Sequence, residues 1–192
     1  MTWILTQSGQ QFDLLRPTAS MIKPVDIAHA LSRLCRFNGH TRAHYSVAQH
    51  SLIVASLVPV EHQLVALLQD ATEAYIGDMM RPLKAVIPEY QYVEHQIWLA
   101  VCDRFDIQTD LPVCVKQADM VALATERRDL MPEHPGVWDC LCGIEPMRDA
   151  IVPMPAEYAS AAYFSRLLDL MQSNHRRRHA AEQIDTAPRS EA

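Results

Sequence analysis

Apolar side chains recur at helical spacing along most of this chain, and a different pattern occurs only near its start. Two short apolar segments, residues 3–6 and 12–15, flank Ser8-Gly9, a pair typical of a turn. They predict a small N-terminal β-hairpin at the edge of the fold. Beyond it, apolar residues three and four positions apart share one face of a helix. The predicted helices begin after Asp26 and then cover residues 45–57, 61–75, 89–105, 112–131 and 157–171.

Capping residues, proline and glycine mark the ends of these helices. Asp26 is a candidate N-cap for the first helix, and Gly39 is expected to end it. Residues 132–155 are rich in proline and predict a long loop or lid with one short helix. Residues 174–192, with three consecutive arginines followed by small and polar residues, predict a disordered tail. The pattern therefore predicts one all-α domain, a helical bundle over residues 1–173 with a small N-terminal β-hairpin.

Composition narrows the class of protein. The chain has 192 residues, of which 49% are hydrophobic and 21% charged, as in one globular domain with a real core. A net charge of -6 argues against a broad surface for nucleic acid or anionic membrane. Five cysteines, an odd number, indicate free thiols rather than a disulfide framework. We find no signal-like N-terminus and no apolar run long enough to span a membrane, so we expect a soluble, cytoplasmic protein.

Three carboxylates interrupt the apolar segment of residues 67–78, namely Asp70, Glu73 and Asp78. Burying a charge is costly unless another group compensates it, so such a cluster indicates a metal or proton-transfer site. His50 and Asp119 lie in two other apolar, helix-like segments. We therefore predict that His50, Asp70 and Asp119 converge from three helices on a divalent ion, because hard cations favour carboxylate and imidazole ligands.

Helical spacing also suggests a role for the next acid. Glu73 follows Asp70 by three residues and Gln69 by four, so the three side chains can share one face. Glu73 is then placed to orient or deprotonate an attacking water. Asp78, just past Gly77, is placed to hold the substrate or to act as a second site for a proton. The alternative is that these acids are helix-capping and surface groups.

Taken together and in order, five segments resemble the motifs of the HD-domain phosphohydrolases. The similarity is strongest to the 5′-deoxynucleotidase-like branch, which includes phage deoxyadenosine triphosphate triphosphohydrolases, and it covers roughly residues 1–170. No single motif is specific, but the set is. The segments are Asp26 to Leu31, Cys35 to His40, Tyr45 to Ser51, Asp70 to Asp78 with Arg81 to Lys84, and Lys116 to Asp119.

The resemblance implies an HD-domain helical bundle that hydrolyses nucleotide phosphate esters with a divalent ion, whether Co, Mn, Mg or Zn. It implies His50, Asp70 and Asp119 as the ligands of that ion. Glu73 would be the acid/base that activates water, and Asp78 a catalytic or sugar-contacting group.

The substrate-binding residues come from two of these motifs. The resemblance implies Arg36 and Lys84 as phosphate-binding cations and Phe37 as the aromatic residue that packs on the sugar. His40 and His44 lie in a polar turn near the expected pocket, so we also consider them candidate phosphate contacts.

Gln69 departs from the family pattern, which has a histidine before the aspartate of the HD pair. An amide oxygen is a weak, neutral ligand, so a site with Gln69 keeps three strong ligands and a poor fourth. The substitution was either introduced to impair turnover or marks a natural member with altered metal use. Because the neighbouring motif residues are intact, we favour an otherwise competent scaffold carrying an impairing substitution.

The expected function is metal-dependent hydrolysis of (deoxy)nucleotides, with release of phosphate from a monophosphate or of triphosphate from a triphosphate. The alternative is a nucleotide-binding or sensing protein that has lost hydrolysis through Gln69. A helical interaction protein without metal or nucleotide is the third possibility. Helices rich in Met and Leu in a short chain also favour a homodimer or higher homo-oligomer.

Overall fold

A computed structural model describes residues 1–185, with side chains to Arg177. It is mostly helical and begins with a two-stranded antiparallel hairpin, which confirms the predicted fold class. The elements are β1 (Trp3–Leu5), β2 (Gln11–Asp13), α1 (Pro24–Arg33), α2 (Val47–Ser56), α3 (Gln63–Leu68), α4 (Glu73–Ile76), α5 (Arg81–Lys84), α6 (Pro88–Phe105), α7 (Val113–Leu130) and α8 (Ala156–Asp185).

The N-terminal hairpin belongs to the core and is not the edge feature that we expected. Phe12 on β2 is fully buried, and its ring stacks on that of Tyr75 with centroids 3.9 Å apart. Opposite Phe12 across the hairpin lies Ile4, which packs against the same core. The hairpin therefore covers the end of the carboxylate-bearing segment that Tyr75 belongs to.

Asp26 fastens this hairpin and does not cap α1, in contrast to the prediction. The helix begins at Pro24, which places Asp26 in its first turn. The buried Asp26 carboxylate accepts hydrogen bonds of 2.7 Å from the Thr6 hydroxyl and from both the amide and the hydroxyl of Ser8. A buried carboxylate needs such partners, and the hairpin turn supplies them.

The first helix also ends earlier than predicted. It stops at Arg33, and Leu34 and Cys35 are extended because Cys35 pairs with Ser46 in an isolated antiparallel bridge. A short 3₁₀ turn, Arg36–Gly39, follows this bridge. The bridge brings the start of α2 beside the end of α1.

The main core lies between α1, α2, α3, α6 and α8. α2 contacts both α3 and α7, so residues of all three helices can meet. No described helix is both long and apolar enough to cross a membrane. Fully buried members of this core include Ile27, Leu31, Leu67, Leu68, Ile97, Tyr163 and Leu167.

The predicted third helix, residues 61–75, is broken at its most polar point. α3 ends at Leu68, and α4 begins at Glu73. Between them the amide of Ala71 donates to the carbonyl of Leu68, and the amide of Glu73 donates to that of Asp70, which is the i to i+3 bonding of a 3₁₀ turn. In a 3₁₀ turn, side chains three apart are eclipsed, so Asp70 and Glu73 are brought to the same side.

The break releases the carbonyl of Leu67, and Tyr163 of α8 satisfies it. The Tyr163 hydroxyl donates to this carbonyl over 2.9 Å, and both residues are fully buried. An α-helix would have used the same carbonyl for the amide of Ala71. The break is therefore supported from outside the segment in which it occurs.

We expect Tyr163→Phe to lower the free energy of unfolding by about 1–3 kcal/mol, because it leaves a buried carbonyl without a donor. Urea denaturation followed by circular dichroism measures this difference. Tyr158→Phe on the same helix is the matched control, because Tyr158 is 72% exposed. Equal stability of the two variants would contradict the role of the Tyr163 hydroxyl.

The last helix is longer than predicted. The pattern indicated an end at Met171 and disorder from residue 174, but α8 continues to Asp185. Alanine, arginine, glutamine and glutamate favour helix there, and the Arg177 guanidinium donates to the carbonyl of Val60 over 3.1 Å. The predicted disorder of residues 186–192 lies outside the described residues.

Residues 132–155 form the predicted long loop, with a single short 3₁₀ turn at Asp139–Leu141. The buried Gln49 side chain of α2 fastens the end of this loop. Its amide donates to the carbonyl of Val152 and accepts from the amide of Met154, each over 2.8 Å. The loop is thereby held on the helix that also bears His50.

Candidate functional site

His50, Asp70 and Asp119 lie together, as the sequence pattern predicted. α2 bears His50, the turn after α3 bears Asp70, and α7 bears Asp119. The Nε2 atom of His50 is 3.4 Å from Asp70 Oδ2 and 3.1 Å from Asp119 Oδ1. The imidazole is fully buried, whereas the Asp70 and Asp119 side chains are 21% and 24% exposed. The cluster therefore has a buried nitrogen at its base and two carboxylates open to solvent.

Glu126, which the sequence analysis missed, lies behind the imidazole. The Nδ1 atom of His50 donates to Glu126 Oε1 over 2.6 Å, because a carboxylate can only accept. The same carboxylate accepts from the Tyr45 hydroxyl at 2.9 Å and from Arg36 Nη2 at 3.0 Å. Glu126 follows Asp119 by seven residues, or two helical turns, so the shared face of α7 was the signal available in the sequence.

The charges of this cluster oppose the effect of burial on its acids. Burial alone would raise the pKa of Glu126, but the charges of His50 and Arg36 hold it below its ordinary value. Burial likewise acts to raise the pKa of Asp119, and contact with His50 lowers it. Burial and Arg36 act to lower the pKa of His50, yet Glu126 and Asp119 raise it to about 10. The imidazole is therefore protonated at neutral pH unless a cation replaces the proton on Nε2.

The donor atoms suit a divalent cation chemically. His50 Nε2 and Asp70 Oδ2 are buried and make no hydrogen bond among the described residues, although they lie within ion-pair distance of each other. A shared ligand would satisfy both atoms. Metal–ligand bonds of about 2.0–2.2 Å place neighbouring ligand atoms roughly 3–3.5 Å apart, and both observed separations fall in this range.

His50, Asp70 and Asp119 nevertheless fall short of a formed metal site. Within residues 1–177, no three or more His, Cys, Asp or Glu side chains form a group spaced to hold a metal ion. The two carboxylates instead lie directly against the imidazole. The set thus has the donor atoms of a metal centre, with ligand-like distances from His50 Nε2 to each carboxylate, but the three side chains together do not form a complete site.

Gln69 lies at the mouth of the cluster. It is half-buried and lines a cleft of about 350 Å³ together with Asp70 and Asp119. Arg81 and Lys116 line the same cleft, and Arg81 Nη2 lies 3.6 Å from Asp119 Oδ2. A ligand in this cleft would lie beside Gln69 as well as beside the two aspartates.

Glu73 is buried beside these ligands and is only 6% exposed. Burial, together with the charges of Asp70 and Asp78, raises its pKa well above the ordinary value. Its Oε2 atom has no hydrogen-bond partner in the described part of the chain. Asp78 is half-buried, close enough for its charge to act on Glu73. This environment favours the protonated form of Glu73 more than an ordinary carboxyl group and leaves Oε2 without a partner among the described residues.

The two cations expected to bind phosphate are both paired. Arg36 is a buried partner of Glu126, with a side chain only 13% exposed, so it is not an open phosphate ligand. Burying its charge required a counter-ion, which the sequence motif could not show. Lys84 is more accessible and pairs with Glu94 over 2.6 Å. Lys84 lines a second cleft, of about 500 Å³, which also includes Gln69 and Asp70.

The remaining candidates lie around the turn after α1. Phe37 has a left-handed backbone, with φ of 54°, and its ring lies 6.2 Å from that of Trp138. His40 is exposed, and His44 contacts Cys35 Sγ at 3.4 Å and the carbonyl of Ser32 at 3.3 Å. Among the described residues, no hydrogen bond or ion pair joins either histidine to the His50 cluster.

Comparison with known proteins gives one relative that matches over nearly its full length and one that matches in part, although no family model matches the chain. It is 40% identical over 126 residues to an uncharacterized protein of Rhodobacter capsulatus, which covers 60% of this chain and 64% of that protein. It is 37% identical over 174 residues to the uncharacterized protein YfdR of Escherichia coli, which covers 90% of this chain and 97% of that protein. This chain, with its buried histidine and facing aspartates, therefore belongs to the same family as YfdR.

Proposed function

We propose that this protein is an HD-type phosphohydrolase that cleaves phosphate esters of (deoxy)nucleotides with a divalent cation. The observation that supports this most is the convergence of His50, Asp70 and Asp119, in which the buried Nε2 and Asp70 Oδ2 atoms make no hydrogen bond within the described residues. The buried Glu73, whose pKa is raised by burial and by the charges of Asp70 and Asp78, adds a group for proton transfer. The proposal includes a cytoplasmic homodimer or higher homo-oligomer.

His50, Asp70 and Asp119 would hold the cation, and the amide of Gln69 would offer a weak fourth ligand. The bound cation would supply positive charge that favours ionisation of the attacking water and stabilises the phosphoryl oxygens. Glu73 would exchange a proton at its free Oε2 atom during attack on the phosphorus. Burial and the charges of Asp70 and Asp78 raise the pKa of Glu73.

The clefts beside the aspartates have the size and charge for one nucleotide. Their volumes of about 350 and 500 Å³ lie in the usual range for small-molecule sites, roughly 300–1,000 Å³. Lys84, Arg81 and Lys116 line them beside the carboxylates of Asp70, Glu94 and Asp119, so these three cations are the groups that could contact an anionic substrate. Trp98 adds an apolar wall to the larger cleft.

The test is to incubate the chain with deoxynucleoside mono- and triphosphates and Mg²⁺, Mn²⁺ or Co²⁺, with detection of released phosphate and triphosphate. We expect cation-dependent product that EDTA abolishes. Asp70→Asn should abolish it too, whereas Asp103→Asn, at an exposed position on α6, should not. No product from either this chain or its Gln69→His variant, with any substrate, would rule out the proposal.

Gln69 itself favours a second candidate, a protein that binds nucleotides without hydrolysing them. An amide at this position weakens cation binding, while the cationic side chains that line the clefts remain. Tight nucleotide binding by calorimetry, with no turnover even in Gln69→His, would favour this sensor over the enzyme.

A further inference from the structure

We propose that Glu126 is the positioning residue of the site, because it fixes the ring of His50 so that Nε2 faces Asp70 and Asp119. This inference rests on the proposed function for its consequence, which is cation binding. The orientation of the ring itself rests on the contact between α2 and α7.

The contact between Glu126 and His50 Nδ1 determines which ring nitrogen of His50 is free to bind a cation. Glu126 Oε1 lies 2.6 Å from His50 Nδ1 and has no hydrogen to donate. A neutral imidazole bears one N–H, so the hydrogen stays on Nδ1 and the lone pair is left on Nε2. The opposite tautomer would place two lone pairs against each other in a fully buried site. Glu126 therefore selects the ring form that can act as a ligand.

Glu126 is itself held from two directions. Its Oε1 atom accepts from Tyr45, which is fully buried, and its Oε2 atom accepts from Arg36. A buried carboxylate is tolerated only when it is paired and hydrogen-bonded. Arg36, from the turn after α1, thus acts as the counter-ion of Glu126. The imidazole is pinned by a network that spans three separate segments.

An ion pair that only stabilised the fold would show the same contacts. The experiment therefore measures the effect of Glu126 on cation binding separately from its effect on stability. Co²⁺ binding to the full chain is measured by calorimetry and by the visible absorption of the bound ion, for the parent, Glu126→Gln and Asp26→Asn. Asp26 is the matched control, because it is also a buried carboxylate with hydroxyl and amide partners but serves the hairpin.

We expect Glu126→Gln to weaken Co²⁺ binding by about 10–100-fold and to change the visible spectrum, because the ring loses its charged orienting partner. Asp26→Asn should lower stability and leave both Co²⁺ readouts unchanged. Glu126→Asp should recover part of the affinity. Unchanged affinity and spectrum in Glu126→Gln would overturn the inference.

A measurement on the metal-free parent chain tests the orientation of the His50 ring directly. It requires neither the proposed function nor a variant that folds. In ¹⁵N-histidine spectra of the metal-free parent chain, we expect a downfield Nδ1–H proton of His50 that exchanges slowly with water. Its absence would overturn the inference. If the parent and Gln69→His bind no Co²⁺, the proposed function fails, and this resonance alone decides whether Glu126 positions the ring.

Discussion

Gln69→His should raise the affinity for Co²⁺ or Mn²⁺ by at least about 100-fold and raise turnover with it. Gln69 is half-buried in the cleft that Asp70 and Asp119 also line. An imidazole there adds a basic nitrogen where the amide offers only a weak, neutral oxygen. The substitution needs no new backbone conformation, because Gln69 already has helical dihedral angles. Calorimetric titration with Co²⁺ and steady-state hydrolysis of nucleotides measure the two effects.

The control for this variant adds the same side chain elsewhere. Gln172→His lies on an exposed position of α8 and should change neither affinity nor turnover. If Gln69→His binds Co²⁺ no better than the parent, Gln69 does not occupy a ligand position. If it binds the ion well but produces no phosphate, the chain is a nucleotide-binding protein rather than a disabled enzyme.

Glu73→Gln should lower kcat by about 10²–10⁴-fold while cation affinity stays nearly unchanged. The amide has the shape of the acid but cannot exchange a proton. Burial and the charges of Asp70 and Asp78 raise the pKa of Glu73, so the carboxylate needed to accept a proton forms only as the pH rises. We therefore expect the rate to fall as the pH falls through this raised pKa, and the variant to lack that dependence. The experiment uses the more active of the parent and Gln69→His backgrounds.

Glu89→Gln is the matched control, because Glu89 is exposed in the first turn of α6. It should retain the parental kcat and pH profile. A Glu73→Gln variant with at least half of the parental kcat would contradict the acid/base role and leave Glu73 as a structural group.

The local pattern of apolar residues, prolines and glycines was sufficient to predict much of the fold. The hairpin and the ranges of α2, α6 and α7 follow from apolar spacing, proline and glycine, since those signals act within a few residues. The candidate site was visible for a related reason. Carboxylates at Asp70 and Asp119 and an imidazole at His50 conflict with the apolar segments around them, and such conflicts tend to mark functional positions.

The break at Leu68 could not be predicted, because a residue far along the chain makes it tolerable. Tyr163 satisfies the carbonyl of Leu67, and this contact exists only after α8 has packed on α3. The extension of α8 to Asp185 was missed in part for the same reason, since Arg177 bonds to the carbonyl of Val60.

The partners of the ionised groups were likewise hidden from sequence. A motif can indicate that Arg36 is important, but not that its charge is neutralised by Glu126, ninety positions away. Helix spacing can place His50 on a face, but the orientation of its ring depends on Glu126. The sequence by itself shows which charged side chains lie in apolar segments. It does not show which of them neutralise one another, because electrostatic and hydrogen-bonding energies depend on distance in the tertiary structure.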